Sequence, residues 1–360
     1  MPRKILIIAA ALICLGLVAV WGSQLDWGIV ARGDNDFAML YTGAKLVGSA
    51  SLYDRTAFQK AQREFANVHG EHVLYARLPY YALFWKPLAL LPYGAAYLLF
   101  TLLNLAALLA FLYLFAPRAP ADWRTAYWLC GVLSVPVLTA FVVGQDVALL
   151  LLIVGTAVVL IRRDSRFLAG VLLSLCTIKP HMFLVLPVLF LMRKEWRILL
   201  GGAAGGAGLF LVSAIAQGWN WPAAYMRLVS ESVDSVPYTL PNLRGLVKAT
   251  AGESLTMELV LAAAVIGLVA LLARKIVDFE TAVAAAIVGG LLVSHHAYIQ
   301  DCCLLLAVAA LARGNRTLRN GALLLLTPPF YFLLGAGTLS IFLPAGLVVL
   351  LASTIVSLMM

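Results

Sequence analysis

The chain has 360 residues, of which 63% are hydrophobic and 12% are charged, with a mean hydropathy of +0.95 and a formal net charge of +9. A soluble domain carries about 25% charged residues, and disordered chains are poor in hydrophobic ones, so both classes are excluded. The composition predicts an all-α protein that crosses a membrane several times, because helices satisfy their own backbone hydrogen bonds in lipid.

The first apolar segment follows Arg3 and Lys4 and covers residues 4–22. A cleaved signal peptide is the alternative interpretation. The apolar stretch is long for a signal peptide, and no clean small-x-small cleavage site follows Val20. We therefore expect an uncleaved membrane anchor.

Two carboxylates, Asp34 and Asp36, come directly after this anchor, at the start of a long loop over 23–92. Ionisable groups near the apolar phase are costly and are functional by default. A carboxylate at this boundary can accept the proton of a hydroxyl group, which points to an enzyme acting on lipid-linked substrates. In the same loop Asp54 is expected to cap a helix over 55–67, and Asp36 to begin another helix.

Apolar segments continue to the end of the chain. A spanning helix needs about 20 apolar residues, and on that basis the sequence predicts about twelve transmembrane or re-entrant segments. They cover 4–22, 93–115, 125–143, 146–161, 167–178, 181–192, 198–216, 256–273, 279–293, 301–312, 320–334 and 339–358.

The basic residues predict the orientation of these segments. With the N-terminus in the cytoplasm, most of the 26 lysines and arginines fall in short cytoplasmic loops, as the positive-inside rule requires. The net charge is explained by this topology, without a nucleic-acid partner. The two long loops, 23–92 and 217–255, then face away from the cytoplasm, and the chain forms a single integral membrane domain over 1–360.

Several of the predicted segments are too short to span. The stretch 167–192 lies between two basic clusters and contains Lys179-Pro180-His181 at its middle, where proline breaks a helix. We expect a re-entrant hairpin there; one long kinked helix is the alternative. The segments 125–161 and 279–312 have the same form, with polar breaks at 144–146 and 294–301.

In this topology the unusual polar residues all fall on the extracytoplasmic side. They are Asp34, Asp36, Arg77, Lys86, Asp146, Lys179, His181, Asn242, Arg244, His295, His296 and Asp301. Each has a structural alternative: a helix cap for either early aspartate, an ion pair for Asp146 and Asp301, or a charge at a helix end for Lys179. Together they combine candidate bases with cations suited to a phosphate.

No metal site and no nucleotide site is expected. Asp34, Asp36 and His295 are metal-ligand types, but no tight ligand spacing supports a metal. The chain has no Walker A loop and no GxGxxG motif that opens a helix after a strand. An activated sugar donor would therefore have to come from within the membrane.

The order of several motifs resembles glycosyltransferase family 87. They are Asp36-Phe37-Ala38-Met39-Leu40-Tyr41-Thr42-Gly43-Ala44-Lys45-Leu46-Val47, Leu52-Tyr53-Asp54, Leu78-Pro79-Tyr80-Tyr81, Lys86-Pro87-Leu88, Gly144-Gln145, Lys179-Pro180, Asn242, and Ser294-His295 with Asp301. The similarity runs from about residue 30 to residue 305. The resemblance implies a C-type glycosyltransferase fold in a bacterial-type inner membrane.

The resemblance also implies an activity. Enzymes of this kind take a polyprenyl-phosphate sugar, typically mannose, as donor on the extracytoplasmic face, invert the anomeric centre, and use neither metal nor cofactor. The proposed base of the family corresponds to Asp36 and its late histidine to His295, although the adjacent His296 leaves that assignment open. Asp34 could share the role of Asp36, and His181 has no firm counterpart. Nine polar residues are assigned to the donor phosphate or substrate: Asp34, Lys86, Lys179, His181, Asn242, Arg244, His295, His296 and Asp301.

The acceptor is expected to be a glycolipid or glycan hydroxyl. The alternatives are a transporter or flippase of a lipid-linked saccharide, which should carry broken or charged helices on both sides of the midplane, and a structural subunit of an envelope complex.

Overall fold

The computed structural model describes residues 2–66, 68, 74–116, 121–231 and 240–359, and the regular structure among them is helical throughout. Parts of both predicted long loops, residues 67, 69–73 and 232–239, lie outside the described residues. The prediction of an all-α chain is confirmed for the described part.

The α-helices follow the predicted segments closely along the chain. They are α1 (Pro2–Ser23), α2 (Trp27–Arg32), α3 (Asp36–Leu46), α4 (Arg55–Ala66), α5 (Pro79–Phe84), α6 (Tyr93–Phe115), α7 (Ala121–Leu133), α8 (Val135–Val142), α9 (Val147–Arg162), α10 (Arg166–Leu173), α11 (Val185–Met192), α12 (Trp196–Gln217), α13 (Trp221–Glu231), α14 (Leu243–Ala251), α15 (Leu255–Lys275), α16 (Phe279–Val293), α17 (Leu305–Leu311), α18 (Arg316–Leu325), α19 (Pro328–Leu334) and α20 (Phe342–Met359). Short 3₁₀ turns cover Ala50–Leu52, Leu88–Leu90, Ser174–Ile178, Pro180–Met182, Ile299–Leu304 and Gly337–Ile341.

Within the described residues, five helical stretches are long and apolar enough to cross a membrane. They are Tyr93–Phe115, Trp123–Val142, Trp196–Gln217, Leu255–Lys275 and Gly337–Thr354. The pair Ala11–Ser23 and Trp27–Leu46, bent by 75°, would add a sixth if it is one span. The count of about twelve segments stays a prediction, because the other apolar helices are shorter than a bilayer requires.

The stretch 166–192 folds back on itself. A continuous helix of that length would hold its ends roughly 40 Å apart, but Arg166 after α9 forms an ion pair with Glu195 before α12. Arg197 Nη1 lies 3.7 Å from Asp164 Oδ2 across the same two loops. The hairpin interpretation is therefore correct and the kinked helix is wrong, because the two basic clusters meet.

The tip of this hairpin rests on the most buried helix of the protein. Helix α16 is buried along nearly its whole length. A Cβ atom at Gly290 would lie 2.1 Å from the carbonyl oxygen of Met182, so only glycine permits this close approach. The contact places the tip residue Lys179 beside the turn that follows α16.

We call residues 23–92, which the sequence predicts to face away from the cytoplasm, the first outer loop. It contains the two helices that the sequence predicts. Asp54 Oδ1 accepts a 2.7 Å hydrogen bond from the Ala57 amide at the start of α4, and Phe58 and Ala61 are buried. Helix α3 begins at Asp36 and packs against α4 and α5. The first outer loop therefore contributes packed helices to the region around Asp36.

Candidate active site

Asp36 is fixed by the loop that joins α8 to α9. The side chain of Asn35 caps α3 by accepting from the Phe37 amide, and it donates to the Val142 carbonyl at 3.1 Å. The Asp36 amide donates to the Val143 carbonyl, and the Gln145 side-chain amide donates to the Asp36 carboxylate. Asp36 is thus held from the backbone and from its side chain by one turn that lies more than 100 residues away in sequence.

That turn depends on Gly144. Its φ of +66° lies in the left-handed region that favours glycine. A Cβ atom there would come within 2.4 Å of Asn35 Oδ1 and 2.9 Å of the Phe37 nitrogen. A side chain at this position would push apart the two backbone segments, around Asn35 and around Gly144, that position Asp36.

We expect Gly144→Ala to lower the free energy of unfolding by about 1–3 kcal/mol, through backbone strain and the clash with Asn35, and to lower turnover as Asp36 shifts. Gly208→Ala is the matched control, because a Cβ atom in this part of α12 meets nothing within 4 Å. Thermal unfolding in detergent and a transfer assay on both variants check this. Equal stability of the two variants would contradict the strain argument.

Asp146 follows Gln145 in the same turn and is buried. It contacts two residues of the first outer loop, one of which reaches the hairpin tip. Its Oδ2 accepts a 2.8 Å hydrogen bond from the Tyr81 hydroxyl, and its Oδ1 lies 3.8 Å from Arg77 Nη2. Arg77 also donates to the Ile178 carbonyl at 2.9 Å. Arg77 Nε and Gln145 Oε1 are buried without a hydrogen-bond partner in the described part of the chain.

Lys179 brings a second cation to the same region. Its Nζ lies 2.6 Å from Asp301 Oδ1 in a pair that is buried on both sides. Asp301 Oδ2 accepts from the Tyr298 amide at 2.9 Å, which fixes the carboxylate. Lys179 and Arg77 both interact electrostatically with Asp36, so two cations share the site with three carboxylates, Asp36, Asp146 and Asp301.

The histidines form a second group beside Lys179. The ring centroids of His295 and His296 are 4.9 Å apart, and those of His296 and His181 are 6.1 Å apart. His181 interacts electrostatically with Lys179 and Arg77. His295 Nδ1 lies 2.6 Å from a carboxylate oxygen of Glu258.

Asn242 holds the histidine segment in place. Its side-chain oxygen accepts from the Gly245 amide at 2.9 Å and so caps α14. Its side-chain nitrogen donates to the carbonyls of Ser294 at 2.7 Å and Ala297 at 3.4 Å. These bonds join the second predicted long loop, 217–255, to the turn that carries His295 and His296.

An open cavity of about 340 Å³ reaches Asp36. Asp34 and Asp36 both line it, together with apolar residues of α2 and of the α8–α9 turn. Lys179 and the histidines are not among its lining residues. The cavity therefore gives access to the aspartates through residues other than Lys179 and the histidines.

Lys86 and Arg244 are two further residues that the sequence predicts for the site. Lys86 is exposed in the turn after α5. The charge of Arg244, in the first turn of α14, acts on Glu253 in the α14–α15 loop. Among the described residues, no group of three or more His, Cys, Asp or Glu side chains is arranged to hold a metal ion.

Sequence reasoning missed two members of the site. Gln145 was recognised as part of a polar break and of a family motif, but nothing in the sequence says that its amide reaches Asp36. Glu258 was missed although a signal exists, since it is the one acidic residue inside the apolar run of α15. A charge placed within a spanning helix is functional by default.

The site combines three carboxylates, the buried Lys179, the partly buried Arg77 and a histidine group within an apolar, membrane-type protein. A model of glycosyltransferase family 87 matches residues 78–297. No curated protein and no solved structure matches the chain. Because the family match covers more than half of its residues, this protein belongs to glycosyltransferase family 87.

Proposed function

We propose that this glycosyltransferase moves a hexose, with mannose as the first candidate, from a polyprenyl-phosphate sugar to a hydroxyl of a glycolipid or glycan. The reaction takes place on the extracytoplasmic face of a bacterial-type inner membrane and inverts the anomeric centre. Asp36 is the general base.

The observation that carries this proposal is the joint placement of Asp36, Lys179 and Arg77. Asp36 is oriented by Gln145 and interacts electrostatically with both cations. A transfer from a phosphate-linked donor needs a proton acceptor on one side of the reacting carbon and positive charge on the other side.

The reaction is a single displacement. The acceptor oxygen attacks the anomeric carbon and forms the new glycosidic bond, while its proton passes to the Asp36 carboxylate. The bond from the anomeric carbon to the phosphate oxygen breaks, and the phosphate leaves with the electron pair as an anion. Its charge is stabilised by Lys179, Arg77 and one of His295 and His296, an electrostatic task for groups fixed in advance. Attack opposite the leaving group inverts the configuration.

Asp36 and Asp301 lie outside the residues that match the family, and their place in the proposal rests on contacts. Asp36 is bonded to Gln145 and Asp301 to Lys179, and both partners are inside the matched range. Side chains within the matched residues thus form hydrogen bonds with both carboxylates.

An apolar groove beside the hairpin tip supports a lipid-linked donor. It has a volume of about 390 Å³ and lies between the hairpin and α12. Leu173, Gly202 and Gly206 line it, and so do Thr177 and Pro180, which lie within two positions of Lys179 in the chain. An isoprenoid tail in this groove would leave its phosphate near the cations.

The test uses purified full-length protein in liposomes with radiolabelled polyprenyl-phosphate mannose and membrane glycolipids as acceptors. We expect the donor to be consumed, polyprenyl phosphate to be released and the label to appear in the glycolipid fraction. Movement of intact donor across the bilayer without consumption would indicate a flippase instead. Consumption of a nucleotide sugar under the same conditions would overturn the lipid-donor proposal.

A further inference from the structure

Glu258 is a buried carboxylate that the proposed reaction does not yet use. It lies in the first turn of α15, and its side chain is 10% exposed. Its Oε1 is 2.6 Å from Nδ1 of His295. No basic side chain is paired with Glu258 in the ion pairs of the described residues other than this histidine.

The contact determines which ring nitrogen faces the site. A carboxylate without a proton only accepts hydrogen bonds, and this contact then places the hydrogen on Nδ1 of His295. Nε2 is left on the other edge of a ring that is 36% exposed, where a substrate can reach it. A proton on Nε2 makes the ring an imidazolium, and Glu258 then supplies the balancing charge.

We propose that Glu258 is a positioning residue, which accepts from Nδ1–H of His295 and balances the charge of the imidazolium, so that Nε2–H donates to the phosphate of the lipid donor. This inference rests on the proposed function, because His295 is there one of two candidates for stabilising the phosphate. It selects His295 over His296 for that role.

The role of Glu258 can be separated from a purely structural one. The backbone around His295 is held independently, since Asn242 binds the carbonyls of Ser294 and Ala297. Loss of the Glu258 carboxylate should therefore free the imidazole ring without releasing its segment. The isosteric Glu258→Gln variant makes this change while keeping the volume of the side chain.

The first test does not depend on turnover. The chain has five histidines, so nitrogen-15 labelling of histidine gives a spectrum that can be assigned by the signals lost in His295→Asn. We expect wild-type His295 to show a proton on Nδ1, and Glu258→Gln to lose this signature. A wild-type His295 that is protonated only on Nε2 would overturn the proposal.

The second test is a double-mutant cycle on the dissociation constant of polyprenyl phosphate, measured with the full-length protein in detergent. Glu258→Gln should weaken binding by about 10–100-fold, the range seen when the outer partner of a metal-bound histidine is removed. In a His295→Asn background the same change should alter binding by no more than about twofold, since Glu258 acts through His295. If the losses of affinity in the two single variants added in the double variant, Glu258 would act independently of His295, and the proposal would be overturned.

Glu253→Gln is the matched control for both tests. Glu253 lies five positions before Glu258 and pairs with Lys248 on the surface at 2.7 Å. We expect it to leave the dissociation constant and the His295 spectrum unchanged. A wild-type protein that binds polyprenyl phosphate but fails to consume the donor would count against the proposed function alone, because the binding cycle and the spectrum do not depend on transfer.

Discussion

Asp36→Asn is expected to lower kcat for sugar transfer by about 10²–10⁴-fold, the usual contribution of a general base. The amide cannot take the proton of the acceptor hydroxyl, so attack on the anomeric carbon is slowed while the donor still binds. Gln145 can still donate to the side-chain oxygen of asparagine, and the cap of α3 by Asn35 is untouched. The fold should therefore survive the change.

The measurement is turnover of the lipid-linked donor at saturating concentration, beside thermal unfolding of each variant. Asp54→Asn is the matched control, because asparagine also caps a helix and Asp54 lies at the start of α4. Asp34→Asn decides between the two aspartates that line the cavity. Near-normal turnover by Asp36→Asn would contradict the assignment of Asp36 as the base. If Asp34→Asn alone abolished turnover, Asp34 would be the base instead.

Lys179→Met is expected to be the most destabilising single change in the site. It leaves the Asp301 carboxylate buried without its counter-charge, and breaking a buried pair in this way costs about 3–5 kcal/mol of unfolding free energy. Turnover should also fall, because the cation nearest the histidine group is lost. The combined variant Lys179→Met with Asp301→Asn removes both charges and should recover most of the stability.

The double variant separates structure from chemistry. If Lys179 stabilises the leaving phosphate, the double variant folds but does not transfer sugar, and its dissociation constant for polyprenyl phosphate stays raised. Denaturation in detergent gives the stability, and a titration with polyprenyl phosphate gives the affinity. If the double variant recovered turnover as well as stability, the Lys179–Asp301 pair would have only a structural role.

Local features of this protein were predictable from the sequence, whereas the long-range contacts of the site were not. Helix starts such as those at Asp54 and Asp36 follow from capping residues close in sequence. The hairpin at Lys179-Pro180 follows from proline and from the basic residues on both flanks. These signals act within a few residues, so a sequence pattern contains them.

The contacts of the site join residues that are far apart in the chain. Gln145 meets Asp36 across 109 positions, and Glu258 meets His295 across 37. No periodicity specifies such pairs, because they depend on how the helices pack. The number of spans was difficult for a related reason: helices buried inside the protein, such as α16, are as apolar as those that face lipid.

The Lys179–Asp301 pair has a consequence for how the protein is made. The ribosome synthesises Asp301 122 residues after Lys179, so the nascent hairpin enters the translocon with a lysine whose counter-ion does not yet exist. An unpaired lysine at membrane depth costs about 2.5–3.5 kcal/mol on insertion scales. We therefore expect the hairpin tip to settle only after α16 and the following turn have emerged from the ribosome, although the hairpin precedes them in the chain.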